Sequence, residues 1–295
     1  MKTFRMIGMA LMAVLMSVNF TSCSNEDEDS ETQPSNEKKL ARVMRYEQDG
    51  GTMTIDFKYD KKGNVVKAAI WHRHNNYGEW REEVDTIEYV WDSNKSITWD
   101  CVVNVNYNDN PWKGTYNCTL NDSRITDITH DNHSKPGFIY GVMEKFYYQY
   151  NEDGHINEYG DFENGTIHRI YTWNNNQLER FKVGSNAITF SYNNQTCRSF
   201  FPLLIDYSYI GFWYGMKEWQ LVGDYIFMAQ PELIGIRSNS LPTKIINNDL
   251  GETYSFNDYD FDSEGYVTRC TVSGERQYDG YGDIFCNYIY KFIWE

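Results

Sequence analysis

Tyr59-Asp60-Lys61-Lys62-Gly63-Asn64-Val65 indicates the fold most directly, because its pattern recurs twice along the chain. The other copies are Tyr150-Asn151-Glu152-Asp153-Gly154-His155-Ile156 and Phe261-Asp262-Ser263-Glu264-Gly265-Tyr266-Val267. Each copy contains an aromatic residue, an Asp or Asn that starts a turn through its side chain, and a Gly that supplies a positive φ. A Val or Ile lies two positions after each Gly. The repeated pattern predicts a series of tight antiparallel hairpins.

Period-two alternation around these turns predicts strands that bury one face. The alternation is clearest in residues 52–59 and 286–292, where aromatic and β-branched residues alternate with polar ones. Further turn signals lie at residues 49–51, 164–165 and 247–251. We therefore expect an all-β, mainly antiparallel fold. Its up-and-down meander of about 12 strands must curl strongly or close into a barrel.

Residues 200–236 differ from the rest because they are rich in large apolar groups and lack alternation. Charged residues such as Asp206 and Lys217 interrupt this segment, so it is not a transmembrane helix. We expect an insertion of short helices and loops that packs on the concave side of the sheet. The alternative is an exposed apolar patch that binds a partner, a feature that is rare in soluble monomers.

The N-terminus has the pattern of a secreted lipoprotein. Residues 1–22 are interpreted as a signal peptide, since Lys2 and Arg5 precede a short apolar run. The sequence that ends at Cys23 resembles the lipobox of bacterial lipoproteins, which implies that Cys23 is lipidated. Residues 23–39 contain no aromatic residue, so we expect a disordered tether. Residues 40–295 remain for a single β-rich domain, which includes the insertion at 200–236.

The acidic cluster at residues 26–31 resembles the surface-export signal of Bacteroides-type lipoproteins. Ser24 directly after Cys23 fits sorting to the outer membrane. A simple solvated spacer is the alternative, and the two interpretations are compatible. We expect a protein anchored by lipid to the outer membrane and facing the extracellular side.

The chain as a whole resembles Bacteroides-type surface lipoproteins that carry a porin-like domain of unknown function. The resemblance rests on the lipobox and tether, on the hairpin around residues 59–63, and on the segment 241–245 that leads into the hairpin around 261–266. It implies a curved or barrel-like β fold and no established activity. A membrane-embedded barrel is not expected, because many strand residues are charged and the lipid-facing side of such a barrel must be apolar.

Composition excludes some partners. The net charge is −15, and it becomes more negative once the leader and its two cations are removed. Nucleic acid is therefore not an expected partner, because its binding requires a basic surface. The membrane is expected as a partner only through the N-terminal lipid. No cofactor is expected.

The remaining cysteines suggest two cross-strand pairs. Cys101 and Cys118 are symmetric about residues 109–110, and Cys270 and Cys286 are symmetric about Tyr278. Residues equidistant from a hairpin turn face each other, so each pair is expected to lie close, with disulfides as one outcome. Ordinary apolar strand positions are the alternative. Cys197 is expected to be a buried, unpaired thiol.

No pattern of catalytic or metal-binding residues stands out. His72 and His74 share one strand face, but no second strand offers a matching pair, so solvent-facing histidines are the preferred interpretation. Asp258, Asp260 and Asp262 are interpreted as a polar strand face and not as a calcium loop. The motifs of hydrolases, zinc proteases and nucleotide-binding loops are absent from the sequence. We expect neither a metal site nor an enzyme.

Aromatic residues give the best functional indication. Trp80 and Trp112 lie beside polar turns and are expected to be exposed, where an indole ring suits stacking on sugars. Thr86 in Asp85-Thr86-Ile87 matches a short O-glycosylation motif. We expect a non-catalytic module that binds glycan or another extracellular ligand. The alternatives are a carrier that holds a hydrophobic ligand between sheet and insertion, and a glycan-active hydrolase.

Overall fold

Strands separated by tight turns make up most of the chain. The computed structural model describes residues 37–48, 50–76, 79–92, 96–103, 112–132, 144–161, 168–201, 225–235, 238–248, 251–278 and 281–295. The described strands are β1 (Leu40–Glu47), β2 (Thr52–Tyr59), β3 (Val65–Asn76), β4 (Glu79–Asp92), β5 (Ser96–Val103), β6 (Trp112–Asn121), β7 (Arg124–Asn132), β8 (Glu144–Tyr150), β9 (Ile156–Asp161), β10 (His168–Asn174), β11 (Gln177–Val183), β12 (Asn186–Thr196), β13 (Ser240–Asn247), β14 (Glu252–Phe261), β15 (Val267–Tyr278) and β16 (Tyr281–Trp294).

These 16 described strands form one closed antiparallel barrel in sequence order. β1 closes it against β16, with Val43 opposite Phe292. The backbone of Lys39 exchanges two hydrogen bonds with that of Glu295 at the seam. The predicted all-β meander is confirmed, and the described residues 37–295 belong to one compact unit.

The strand count exceeds the expected number because some turns lack glycine. β6 and β7 are joined through Asp122 and Ser123, and β10 and β11 through Asn175 and Asn176. All four residues have positive φ, between 47° and 63°. Asn and Asp tolerate this conformation because their side chains hydrogen-bond locally, so they form two-residue hairpin turns that a search for glycine does not find.

The three copies of the repeated turn have the same geometry. Asp60 Oδ1 accepts a hydrogen bond of 2.9 Å from the backbone N–H of Asn64. Asn151 Oδ1 and Asp262 Oδ1 accept the equivalent bonds, at 2.9 and 3.0 Å. Gly63, Gly154 and Gly265 have φ values of 91°, 83° and 92°, which side chains rarely permit. The hairpins predicted from the repeat are confirmed.

A tryptophan on the strand after each of these hairpins completes the module. Its indole N–H donates to the carbonyl of the aliphatic residue that ends the repeat. The pairs are Trp91 with Val65 at 2.8 Å, Trp173 with Ile156 at 2.6 Å, and Trp294 with Val267 at 2.7 Å. Because each bond ties a side chain to the backbone of an adjacent strand, the three hairpins are fixed against their neighbours.

Tyrosine hydroxyls add a second set of bonds beside the same turns. Tyr59 donates to the carbonyl of Leu40 at 2.7 Å, and Tyr150 donates to that of Ile125 at 2.6 Å. Burial raises the pKa of both phenols far above the usual range, so they stay neutral donors.

The inner face of the barrel is apolar and the outer face is polar. In β2, Met53, Ile55 and Phe57 are buried, whereas the alternate positions are more exposed. Strands with one solvated face show this pattern, because successive side chains point to opposite sides. The interior is lined by one continuous hydrophobic cluster.

Part of the predicted insertion closes one end of this interior. Helix α1 (Ile226–Ala229) and a 3₁₀ helix (Pro231–Ile234) are largely buried. Gln230 Oε1 accepts a 2.8 Å hydrogen bond from the backbone N–H of Val65. The expectation of short helices on the concave side is confirmed for residues 225–235, while residues 202–224 and 236–237 lie outside the described part.

The strand register corrects the predicted cysteine pairs. Cys101 lies opposite Gly114, and Cys118 lies opposite Ile97, four residues away. Cys270 lies opposite Tyr290, whereas Cys286 lies opposite Gly274. An offset of four residues is roughly 13 Å along a strand, too far for a disulfide. The symmetry argument misplaced both turn centres by two residues.

Three cysteines are buried among the described residues: Cys118, Cys197 and Cys270. Burial raises the pKa of Cys197 to about 12 and raises that of Cys270 further. Both are therefore protonated and unreactive. The predicted burial of Cys197 is confirmed.

Up-and-down topology gives the barrel two distinct ends. We call the end with the three repeated turns, Leu40, Trp294 and the insertion the turn end. The opposite end, which holds the β1–β2 and β3–β4 connections, is the loop end. Most of the longer connections at the loop end fall outside the described residues.

Candidate ligand-binding surface

Three exposed aromatic side chains lie on the outer face of the barrel toward the loop end. Tyr46 of β1, Trp71 of β3 and Trp80 of β4 are 37%, 41% and 42% exposed. We call these three residues the aromatic strip. Two exposed aliphatic residues extend it, since Ile289 lies opposite Tyr46 and Val84 lies opposite Trp71. Four of the five neighbouring strands from β16 to β4 thus present apolar surface on a mainly polar wall, with β2 as the exception.

Trp80 is held in place on two sides. The Arg73 guanidinium lies 4.8 Å from the centre of the Trp80 ring. On the edge of the ring, a Cβ added to Gly50 would lie 3.3 Å from Trp80. The predicted exposure of Trp80 is confirmed, whereas stacking on a ligand stays a prediction. The side chain of Trp112, at the start of β6, lies outside the described part.

Trp71 and Tyr46 are members of the strip that the sequence interpretation missed. Both stand inside strands and not in turns, so proximity to turns did not identify them. The sequence feature that could have identified them is the alternation of inward-facing and outward-facing positions along each strand. Ala68 and Ile70 are buried, which places Trp71 on the outer face. Tyr46 faces Thr52, an outward-facing position of β2.

Cations close to the strip are engaged by neighbouring groups. Arg73 Nε lies 3.9 Å from Glu82 Oε1 in addition to its contact with Trp80. Lys291 Nζ lies 5.3 Å from the centre of the Tyr46 ring. The Arg42 guanidinium forms a bidentate pair with Asp56, which raises the pKa of Arg42. Two of these three cations therefore lie beside a carboxylate, and the third lies against an aromatic ring of the strip.

The inner wall becomes polar toward the loop end. Arg45 Nη2 donates to Glu47 Oε1 at 2.6 Å, and both residues follow the inward phase of β1. His72 Nε2 lies 3.8 Å from Asp85 Oδ2. His72 lies opposite the buried Met53, so it faces the barrel interior. The expectation that His72 faces solvent is therefore wrong. No further ligand completes this pair into a metal centre within the described ranges.

Of the other predicted positions, the structure describes Thr86 and leaves out Cys23. Thr86 lies on the outer phase of β4 between the buried Asp85 and Ile87, and it is half-buried. Glycosylation of Thr86 stays a prediction. Cys23 and its tether, and the side chain of His74, lie outside the described residues. No described helix has the length and apolar character needed to cross a membrane.

The fold thus defines a closed 16-stranded antiparallel barrel with an apolar interior and a polar outer face. Comparison with solved structures finds porin-like proteins from Bacteroides. One, from Bacteroides uniformis ATCC 8492, is 16% identical with a TM-score of 0.60. Another, from Bacteroides vulgatus ATCC 8482, is 15% identical with a TM-score of 0.46. Each match covers 87% of this chain and 98% of the other. The first similarity supports the barrel fold, and no family model or curated protein matches the chain.

Proposed function

We propose that this protein is a lipid-anchored outer-membrane lipoprotein that binds an extracellular glycan without catalysis. The observation that carries the proposal is the aromatic strip, three large rings about 40% exposed on a polar wall. Exposed aromatic rings are amphipathic, with an apolar face and, in Trp and Tyr, a polar edge. Such rings suit the C–H faces of sugars, while nearby hydroxyl and charged groups suit sugar hydroxyls.

The distribution of polarity supports attachment through lipid. A barrel that crosses a membrane has an apolar outer band and, when it is wide, a polar interior. Here the described β2 has the opposite arrangement, with Ile55 inside and Asp56 and Lys58 outside. A lipid on Cys23 would supply the attachment that such a wall does not. Lys39 pairs with Glu295 at the turn end, whereas the strip lies toward the loop end of the barrel.

The test is glycan binding by strip variants. We expect the purified protein to retain one or more polysaccharides, with Trp71→Ala and Trp80→Ala each weakening binding about tenfold or more, as for central aromatic contacts elsewhere. Affinity electrophoresis against a panel of polysaccharides measures the effect. Ile170→Ala is the matched control, since Ile170 is 45% exposed on β10, away from the strip. Absence of retention across the panel, or equal binding by all variants, would contradict the proposal.

The carrier alternative has its own readout. The described helical insertion packs directly on the inward-facing side chains, because Ile226, Met228 and Leu233 belong to the same hydrophobic cluster as those side chains. Native mass spectrometry of the protein purified from its own host separates the two functions. Glycan binding predicts the mass of the processed chain alone. A constant additional mass of a co-purified apolar molecule would favour the carrier instead.

A further inference from the structure

We infer that the aromatic strip takes an uncharged, extended polysaccharide chain across two of its rings at a time, and neither a chain end nor an acidic glycan. This inference rests on the proposed function and specifies its ligand. It combines three observations on described residues: the spacing of the rings, the openness of the wall, and the pairing of the nearby cations.

The distances between the three rings indicate the size of the ligand. Tyr46 and Trp71 lie two strands apart, on either side of β2. Tyr46 pairs with Thr52 of β2 and Trp71 pairs with Thr54, so the two rings are offset by two residues along the strands. This places their Cα atoms roughly 12 Å apart. Trp71 lies opposite Val84, which is four residues from Trp80 on β4. The Cα atoms of Trp71 and Trp80 are therefore roughly 14 Å apart. The register also places the Cα atoms of Tyr46 and Trp80 roughly 16 Å apart, so the three rings lie at the corners of a triangle and not on a line. Each pair of rings is farther apart than one sugar ring reaches, so contact with two of them requires a chain of several units.

The shape of the wall is the second observation. All three rings project from the outside of a closed barrel, where the surface is convex. A chain end is recognised by enclosing its terminal hydroxyls, which requires a concave pocket. Separate rings on an open face instead contact the middle of a chain and leave both ends free. The polar residues between the rings, Thr52 and Thr54, face the same side and are placed to hydrogen-bond hydroxyls.

Charge is the third observation. An acidic glycan requires cations that are available to its carboxylates or sulfates. On this wall Arg73 is shared between Glu82 and Trp80, Arg42 is bound to Asp56, and Lys67 Nζ lies 3.0 Å from Glu88 Oε1. Lys291 Nζ contacts the Tyr46 ring, at 5.3 Å from its centre. The whole chain also carries a net charge of −15, which repels polyanions. A neutral polysaccharide needs no available cation and is not repelled by the net negative charge.

The experiment compares retention of the purified protein in gels that contain neutral polysaccharides (mannan, xylan and β-glucan) or acidic ones (polygalacturonate and heparin). We expect retention by at least one neutral polymer and none by the acidic ones. For the retained polymer, oligosaccharides of increasing length should bind more tightly, gaining about tenfold or more once they span two rings, as a second linked contact does. Ile170→Ala should bind as the unaltered protein does.

Two variants sharpen the charge argument. Glu82→Gln and Asp56→Asn release Arg73 and Arg42 from their carboxylates while keeping side-chain size. We expect the double variant to gain retention by polygalacturonate. Stronger binding of acidic polymers by the unaltered protein, or full affinity for a monosaccharide, would overturn the inference and leave glycan binding intact. Binding of no carbohydrate at all would overturn the proposed function as well.

Discussion

The two ends of the barrel use aromatic residues in opposite ways. At the turn end Trp294 is 9% exposed, packs against Tyr266 with ring centres 5.0 Å apart, and donates its indole N–H to the carbonyl of Val267. At the loop end Trp71 and Trp80 lie on the outer wall with large exposed faces. The same residue type therefore fixes the scaffold at one end and presents free surface at the other.

This difference indicates how stability and binding are divided. Buried aromatic groups contribute through the area that they remove from water and through their hydrogen bonds. Exposed ones contribute little to folding and remain available to a ligand. Substitutions at the turn end should therefore change the free energy of unfolding, while those on the aromatic strip should change binding alone. The predictions below test that separation.

The largest effect is expected at Trp294. Trp294→Ala removes a buried ring and leaves the carbonyl of Val267 without its donor, so the free energy of unfolding should fall by about 3–5 kcal/mol. Trp294→Phe retains most of the packing and should lose about 1 kcal/mol for the hydrogen bond. Trp71→Ala on the outer wall should change stability by no more than about 0.5 kcal/mol. Urea unfolding followed by fluorescence measures all three, and similar losses at Trp294 and Trp71 would refute the separation.

Glycine substitutions should give an intermediate effect. Gly63 has φ of 91°, and Gly63→Ala forces a side chain into a strained conformation that costs about 1–3 kcal/mol. Gly184, in the β11–β12 turn of the loop end, has φ of 61°, and open space surrounds the position that a Cβ would occupy. Asn tolerates that φ, so Gly184→Asn should shift stability by only a few tenths of a kcal/mol. Thermal unfolding of the two variants side by side tests the comparison; a larger loss at Gly184 would count against it.

The smallest effect is expected from pH at the repeated turns. Burial alone would raise the pKa of Asp60, but hydrogen bonds from Asn64 outweigh it and lower that pKa below 3.8. The folded-state pKa of Asp60 is thus depressed. The ionised Asp60 side chain therefore stabilises the fold fully above its ordinary, unfolded-state pKa, and this contribution is lost as the pH falls through the folded-state pKa.

Asp60→Asn is the matched variant for this effect, because Asn151 already occupies the same place in the second turn. The substitution keeps a side-chain acceptor and removes the titration. We expect the unfolding free energy of the variant to depend less on pH below about 4 than that of the unaltered protein. Identical slopes in that range would show that Asp60 does not contribute.

Much of the barrel was predictable from particular residues. The three repeated turns gave the hairpins, because an Asp or Asn side chain and a Gly with positive φ act within a few residues. Alternation gave the buried face of β2 through Met53, Ile55 and Phe57. The exposure of Trp80 followed from its position beside a turn.

Other features depended on partners distant in the chain. The cysteine pairs were misjudged because register is set by the whole ladder and not by symmetry about a turn, as the offset of Cys118 from Cys101 shows. His72 was expected to face solvent, yet pairing with Met53 directs it inward. The aromatic strip gathers residues from β1, β3 and β4, and their grouping requires the pairing of all the intervening strands.

The antiparallel strands, their tight turns and their apolar faces were predictable from the sequence, because they follow from the conformations and solvation of neighbouring residues. The closure of β1 on β16, the packing of residues 225–235 into the interior, and the presence of Tyr46, Trp71 and Trp80 on one wall depend on the three-dimensional arrangement. Each of these depends on which strands lie side by side, and that choice is made by the collective burial of the whole barrel interior.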